Sequence, residues 1–79
     1  MASPAGLIEY IANNLVSETS AVQVDYLPGN DEDVIELRVD EADLGKVIGK
    51  GGSVVRSMRV LLSAVGLRDE KNYLLEIID

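Results

Sequence analysis

The stretch LGKVIGKGGSVVR, residues 44–56, sets four loop residues, Gly49-Lys50-Gly51-Gly52, between two apolar segments with helical spacing. The first segment predicts a short helix from Glu41 to about Ile48. The second predicts a helix from Ser53 to Ala64 or Val65, with Gly66 as its C-cap. The centre of the chain is therefore a G-x-x-G loop that joins two helices.

A loop of this kind suits contact with a phosphate group. Glycine has no side chain, so an anion can approach the main chain closely, and the next helix offers free N–H groups. Two nucleotide-binding loops are excluded by spacing: Gly45 lies one residue too close to Gly49 for a Walker loop, and Val54 replaces the third glycine of a dinucleotide fingerprint. A tight helix–helix turn would have the same sequence, so the loop alone leaves both interpretations open.

Two strands are predicted before the loop. Apolar residues alternate with polar ones in Ala21–Leu27 and again in Val34–Val39. The turn sequence in residues 28–31 joins them, which predicts an antiparallel hairpin. Asp40 then stands as a helix N-cap, and Asp43 occupies the place of the reciprocal acid in a capping box.

The two ends of the chain complete an α+β fold. Ser3 and Pro4 predict the start of a helix that ends near Ser17. Residues Tyr73–Ile78 predict the last strand, which should run parallel to its neighbour because a helical crossover joins the two. The order α-β-β-α-α-β predicts one domain over residues 1–79, with a three-stranded mixed sheet and three helices on one face.

Composition restricts the chemistry. The 79 residues include no His and no Cys, so the usual acid–base group, thiolate nucleophile and zinc ligands are missing. We therefore expect no catalysis, metal or cofactor. The acidic run Asp31-Glu32-Asp33 lacks the spacing of a calcium loop and is interpreted as a solvated turn. No segment has the pattern of a signal peptide or a membrane span, which favours the cytoplasm.

Charge is unevenly distributed along the chain. The net charge is −7, which at first disfavours nucleic acid. Residues 44–68, however, carry five basic residues and no acidic one, whereas Arg38 and Lys71 are the only basic residues among the fourteen acids elsewhere. A local basic surface can attract phosphate while the rest of the protein repels it. Chance segregation in a small acidic protein is the alternative.

The segment Val-Ile-Gly-Lys-Gly-Gly, residues 47–52, resembles the central signature of KH domains, in which a Val-Ile-Gly-x-x-Gly segment joins two helices. In length, hairpin and closing strand, the whole chain is similar to the KhpA family of bacterial single-KH RNA-binding proteins. The resemblance implies a type II KH domain that binds single-stranded RNA. The implied RNA-binding residues are Gly45, Lys46, Val47, Ile48, Gly49, Lys50, Gly51, Gly52, Ser53, Arg56 and Arg59.

The resemblance also implies an apolar wall on which bases would lie. Gly45, Val47 and Ile48 would supply it, with Gly45 in the groove and Ile48 mainly in the core. Leu37 and Val39, on the preceding strand, could face them across the groove. Because neither Trp nor Phe is present, binding should rest on backbone contact and groove shape, with low sequence discrimination.

Two positions depart from the family pattern. Gly51 and Ser53 stand where family members often carry basic residues, which weakens the attraction for phosphate. Arg56 and Arg59 lie three apart and so share one helix face. That face is either an RNA contact or simply solvated.

The second helix of the pair has more apolar residues than one core face can use. Its predicted core stripe is Val55, Met58, Leu62 and Val65. Leu61 and Ala64 extend the apolar surface beyond that stripe, which suggests a partner. The resemblance implies a homodimer, for which we predict Leu61 at the interface, or a heteromer with a second KH-containing protein. A protein-interaction subunit with weak RNA binding is therefore the alternative function.

Overall fold

The structure is a computed structural model that describes residues 3–79. The predicted order of helices and strands is confirmed, with short 3₁₀ turns at Thr19–Ala21, Glu41–Asp43 and Lys50–Gly52. The elements are α1 (Pro4–Leu15), β1 (Gln23–Leu27), β2 (Asp33–Arg38), α2 (Leu44–Ile48), α3 (Ser53–Asp69) and β3 (Tyr73–Ile78). Over the described part of the chain, no helix is both long enough and apolar enough to cross a membrane.

The three strands form one mixed sheet in the order β1-β2-β3. Strand β1 pairs antiparallel with β2, and β3 pairs parallel with β2, so that Leu37 lies between Val24 and Ile77. One face of the sheet packs against all three helices, as predicted. The buried core combines Ile35, Leu37 and Leu75 of the sheet with Ile8 and Ala12 of α1, Val47 of α2, and Val55, Met58 and Leu62 of α3.

Local sequence signals locate most ends of these elements. The Ser3 hydroxyl accepts a hydrogen bond from the Gly6 N–H at 3.0 Å, so the predicted N-cap of α1 is confirmed. The Asp40 carboxylate likewise accepts from the Ala42 N–H at 3.0 Å, at the start of the 3₁₀ turn before α2. Strand β1 begins two residues later than predicted, because Ala21 lies in a 3₁₀ turn.

The predicted C-cap at Gly66 is wrong. Helix α3 continues to Asp69 and ends at Glu70, which adopts the left-handed conformation with a φ of 55°. Gly66 is buried inside the helix, and its carbonyl accepts a hydrogen bond from the Lys71 N–H at 2.9 Å. A Cβ at Gly66 would lie 2.5 Å from the Lys71 carbonyl oxygen. The glycine therefore allows the α3–β3 connection to pass close to the helix.

The interpretation of the acidic run as a solvated turn is wrong for Asp33. Its side chain is buried and accepts hydrogen bonds from the Tyr26 hydroxyl and from the Gly29 N–H at 3.0 Å. The Lys71 ammonium lies 3.3 Å away. The bond to Tyr26, then that to Gly29, lowers the pKa of Asp33, and the same bond raises the pKa of Tyr26 to about 12. Asp33 thus ties the hairpin turn to the connection before β3.

Candidate nucleic-acid interface

Three glycines give the loop between α2 and α3 its shape. Gly49, Gly51 and Gly52 have φ angles of 77°, 62° and 78°, a region that other residues rarely adopt. A Cβ at Gly49 would lie 2.5 Å from the Val54 Cγ2 atom, so that position has no room for a side chain. A Cβ at Gly51 would meet nothing within 4 Å. The tip of the loop is therefore open to a ligand, whereas its base is packed against α3.

Helix α3 begins directly at this loop. Its N-cap is Gly52, so no side chain caps the first turn. The N–H groups of Gly52 and Ser53 bond to the Gly49 and Lys50 carbonyls, but the positive dipole end of this 17-residue helix favours an anion at the loop. Lys50 is exposed at the tip and, among the basic residues of the stretch 44–68, is the one without a hydrogen bond or ion pair to the described residues.

The two predicted arginines already have partners within the protein. The Arg56 Nη1 atom donates to the Gly51 carbonyl at 2.7 Å, which holds the loop from its helix side. The Arg59 Nη2 atom donates to the Leu75 carbonyl at 3.2 Å, which ties α3 to β3. Both side chains are exposed, so each keeps donors for a ligand, but their first effect is to position the loop and the strand.

Asp43 is a key residue of this region, and its role differs from the prediction. Its buried carboxylate accepts from the Glu18 N–H at 2.9 Å, so the capping-box interpretation is wrong. The Lys46 ammonium lies 2.9 Å from the same carboxylate and donates to the Ser17 hydroxyl at 2.6 Å. Together these contacts anchor the start of α2 to the segment after α1. No local pattern could reveal the bond to Glu18, which is 25 residues away.

The anchoring role of Asp43 predicts a loss of stability on substitution. The Glu18 N–H, then the Lys46 ammonium, holds the pKa of the Asp43 carboxyl below its ordinary value of 3.8. We expect Asp43→Asn to lower the melting temperature at neutral pH by roughly 5–15 °C. Because the Asp43 carboxyl has a lower pKa in the folded protein than in the unfolded chain, it stabilises the fold at pH values above its unfolded-state pKa. This stabilisation is lost as the pH falls through the folded-state pKa. The difference from the wild type should therefore begin to shrink near pH 3.8 and close only below the lower folded-state pKa.

Thermal unfolding followed by circular dichroism across this pH range tests the prediction. The matched control is Asp31→Asn, which removes the same charge from an exposed position in the hairpin turn. If the two variants melt at the same temperature at pH 7, Asp43 does not anchor α2.

The predicted apolar wall is only partly at the surface. Val47 and Leu37 are fully buried in the core, so the prediction that they contact bases is wrong. Helix α2 has only five residues, and the face that carries Val47 is needed to cover the sheet. Gly45 is exposed, and a Cβ there would meet nothing within 4 Å, whereas Ile48 and Val39 are half-buried.

A shallow cleft lies beside the start of α2. Val39 and Leu44 form its apolar lining, and the acidic residues Glu41 and Asp79 also line it. This lining could hold the flat face of a base. The two carboxylates would repel phosphate from the cleft, so the sugar-phosphate backbone has a better place at the loop.

The outward side of α3 is apolar near its middle. Val60 and Leu61 are 69% and 46% exposed, so Leu61 does not lie in the core. They share a shallow depression with Ser53, Arg56 and Ser57, which continues toward the loop. This surface, Val60 with Leu61, is called the α3 patch below.

Comparison with known proteins places the chain in a family. Residues 5–77 match the family described as "KhpA/KhpB, KH domain". The chain is 42% identical to the RNA-binding protein KhpA of Aquifex aeolicus over 79 residues, all of both chains. It is 47% identical to KhpA of Treponema pallidum over 73 residues, which are 92% of this chain and 91% of the relative. No solved structure matches. The resemblance inferred from the loop and the element order is thus confirmed, and the chain belongs to the KhpA/KhpB KH-domain family.

Proposed function

We propose that residues 1–79 act in the cytoplasm as a single type II KH domain that binds single-stranded RNA without catalysis. One observation carries the proposal: the open glycine loop leads directly into the uncapped start of α3. The relatives are named RNA-binding proteins, which supports the same ligand here. A role as a post-transcriptional regulator or RNA chaperone fits a binder with few base-specific contacts.

The RNA backbone would follow the loop, and bases would lie beside α2. Gly49–Gly52 and the positive dipole end of α3 would attract phosphate, with Lys50 as the mobile cation. Gly45 and Ile48 would lie under the neighbouring bases, next to the cleft lined by Val39 and Leu44. Since the described residues place no exposed aromatic side chain at the loop, recognition would be by shape rather than by sequence.

Salt dependence tests this proposal. With few cations near the loop, about two to four phosphates are neutralised, so the log–log slope of affinity against salt should be about −1.5 to −3. Lys50→Gln should make the slope shallower by about 0.7, the value of one phosphate contact on a single strand. Arg38→Gln removes the same charge from β2 and should leave the slope unchanged. Fluorescence anisotropy with a labelled single-stranded RNA measures all three slopes.

A slope near zero, or the same shallower slope for both variants, would show that the loop is not the contact surface. In that case the second candidate function becomes the better one, a protein-interaction subunit with weak RNA binding. Its supporting observation is the α3 patch, an exposed apolar surface beside the proposed nucleic-acid site. We propose that the same patch is the interface of a homodimer, or of a heteromer with a second KH-containing protein.

A further inference from the structure

The face of the sheet opposite the helices is open along all three strands. Ile35 and Leu37 of β2 point into the core, so their neighbours Val34, Glu36 and Arg38 point outward. All core side chains of the helices pack on the inner face. The outer face is therefore a second surface of the protein, separate from the glycine loop, with its own arrangement of apolar and charged side chains.

The strand register arranges this outer face in rows that run across the strands. An apolar row, an acidic row and a mixed row follow one another from the hairpin-turn end of β1 and β2. The apolar row consists of Leu27, Val34 and Leu74, the acidic row of Asp25, Glu36 and Glu76, and the mixed row of Gln23, Arg38 and Ile78. In the apolar row, Leu27 and Leu74 are 46% and 41% exposed. Apolar and carboxylate groups thus stand side by side over the full width of the sheet.

The acidic row has a cost that no ion pair in the described chain relieves, although the Asp25 carboxylate accepts a hydrogen bond from the Gln23 side-chain amide at 3.0 Å. Neighbouring strands are about 4.8 Å apart, and like charges directly opposite one another destabilise a sheet. Across residues 3–79, the ion pairs involve Asp33, Asp43 and Asp69, and none involves the acidic row. Glu36 lies at the centre, half-buried, with a carboxylate on each side. Cations supplied by another molecule would reduce the repulsion between the carboxylates of this row.

From this arrangement we infer that the outer sheet face docks an amphipathic, cationic helix of a partner protein. The acidic row and the apolar row are about 7 Å apart along the strands, and a helix about 10 Å wide covers both. Lys or Arg residues four apart on such a helix are about 6 Å from one another, close to the strand spacing. Apolar residues on the adjoining helix flank would then meet Leu27 and Leu74. RNA is a poor occupant, because the acidic row repels phosphate.

A peptide titration followed by NMR tests the inference. The probe is a synthetic 18-residue amphipathic helix of Leu and Lys, and the control peptide has Glu in place of Lys. We expect the Lys peptide to shift amide signals of β1, β2 and β3, and the Glu peptide to shift none. Glu36→Lys should weaken binding of the Lys peptide at least tenfold, because it places a cation at the centre of the acidic row. Glu32→Lys changes net charge equally from the exposed hairpin turn and should change affinity less than twofold.

Two results would overturn the inference. Equal weakening by Glu36→Lys and Glu32→Lys would mean that the peptide responds only to net charge. Shifts confined to the α3 patch would mean that the helix face, not the sheet, accepts apolar partners.

Folding of Glu36→Lys is checked by its melting temperature, which we expect at or above that of the wild type because the substitution relieves repulsion within the acidic row. The milder Glu36→Gln, which we expect to weaken binding of the Lys peptide about threefold, provides a second test of the acidic row. RNA affinity should be the same for Glu36→Lys and Glu32→Lys.

Discussion

A carboxylate at the tip of the glycine loop should lower RNA affinity by about tenfold to hundredfold, which corresponds to about 1.4–2.8 kcal/mol. The substitution is Gly51→Asp, which places a negative charge where the RNA backbone would lie. Two like charges about 4 Å apart repel by about 1 kcal/mol in water and about 4 kcal/mol near a protein surface. Gly51 is the position of choice because a Cβ there meets nothing within 4 Å.

The matched control is Gly51→Asn, which has nearly the same shape without the charge. Both residues tolerate the left-handed backbone of this position, where φ is 62°. We expect Gly51→Asn to bind within about threefold of the wild type, while both variants keep the wild-type circular dichroism spectrum. The double variant Gly49→Asp with Gly52→Asp should abolish binding. It is the weaker test, however, because a side chain at Gly49 collides with Val54.

A folded Gly51→Asp protein with unchanged affinity would contradict the loop as the phosphate contact. Equal losses in Gly51→Asp and Gly51→Asn would point to loop shape rather than charge.

Leu61→Lys should convert a homodimer to a folded monomer. Leu61 is already 46% exposed, so a lysine there costs the monomer little. If two copies of α3 pack across a two-fold axis, however, the same lysine would be buried near its symmetry mate. Burying an unpaired charge costs several kcal/mol, about as much as a small interface supplies.

Loss of the dimer should also change how RNA length affects binding. A dimer carries two glycine loops, so one long RNA can bind both and gain avidity. Leu61→Lys should therefore weaken binding to a long RNA roughly tenfold or more, with little effect on a four-nucleotide RNA. Leu67→Lys is the matched control, since Leu67 lies on the same helix and is 84% exposed. Sedimentation equilibrium and RNA binding of the three proteins measure both effects. A wild-type monomer at high micromolar concentration, or a dimeric Leu61→Lys, would remove the proposed interface.

The features that sequence predicted correctly depend on neighbours along the chain. The N-caps Ser3 and Asp40 bond to N–H groups two or three residues away, and the core stripe of α3 follows from its helical spacing. The glycine loop was visible for the same reason, because its conformation and its chemistry are both contained in Gly49–Gly52.

Some errors concern residues whose partners are distant in sequence, and others concern contacts within a few residues. Asp43 bonds to Glu18, 25 residues away, so its role has no local pattern. Asp33 bonds to the nearby Tyr26 and Gly29, but a run of acidic turn residues does not show which of them is buried. The resemblance implied that Val47 lies under the bases, and a helix as short as α2 does not show which of its faces points inward. The bond from Arg56 to the Gly51 carbonyl depends on the direction of the backbone at Gly51, which the spacing of residues along a helix does not predict.

Whether RNA lies on the glycine loop can be measured by an NMR titration of the wild-type protein with a four-nucleotide single-stranded RNA. A fragment of this length can occupy one loop, so the result does not depend on dimerisation. We expect the largest amide shifts on Gly49–Ser53 and on Gly45 at the start of α2. Shifts confined to the α3 patch or to the outer sheet face, or no shifts at millimolar RNA, would contradict it.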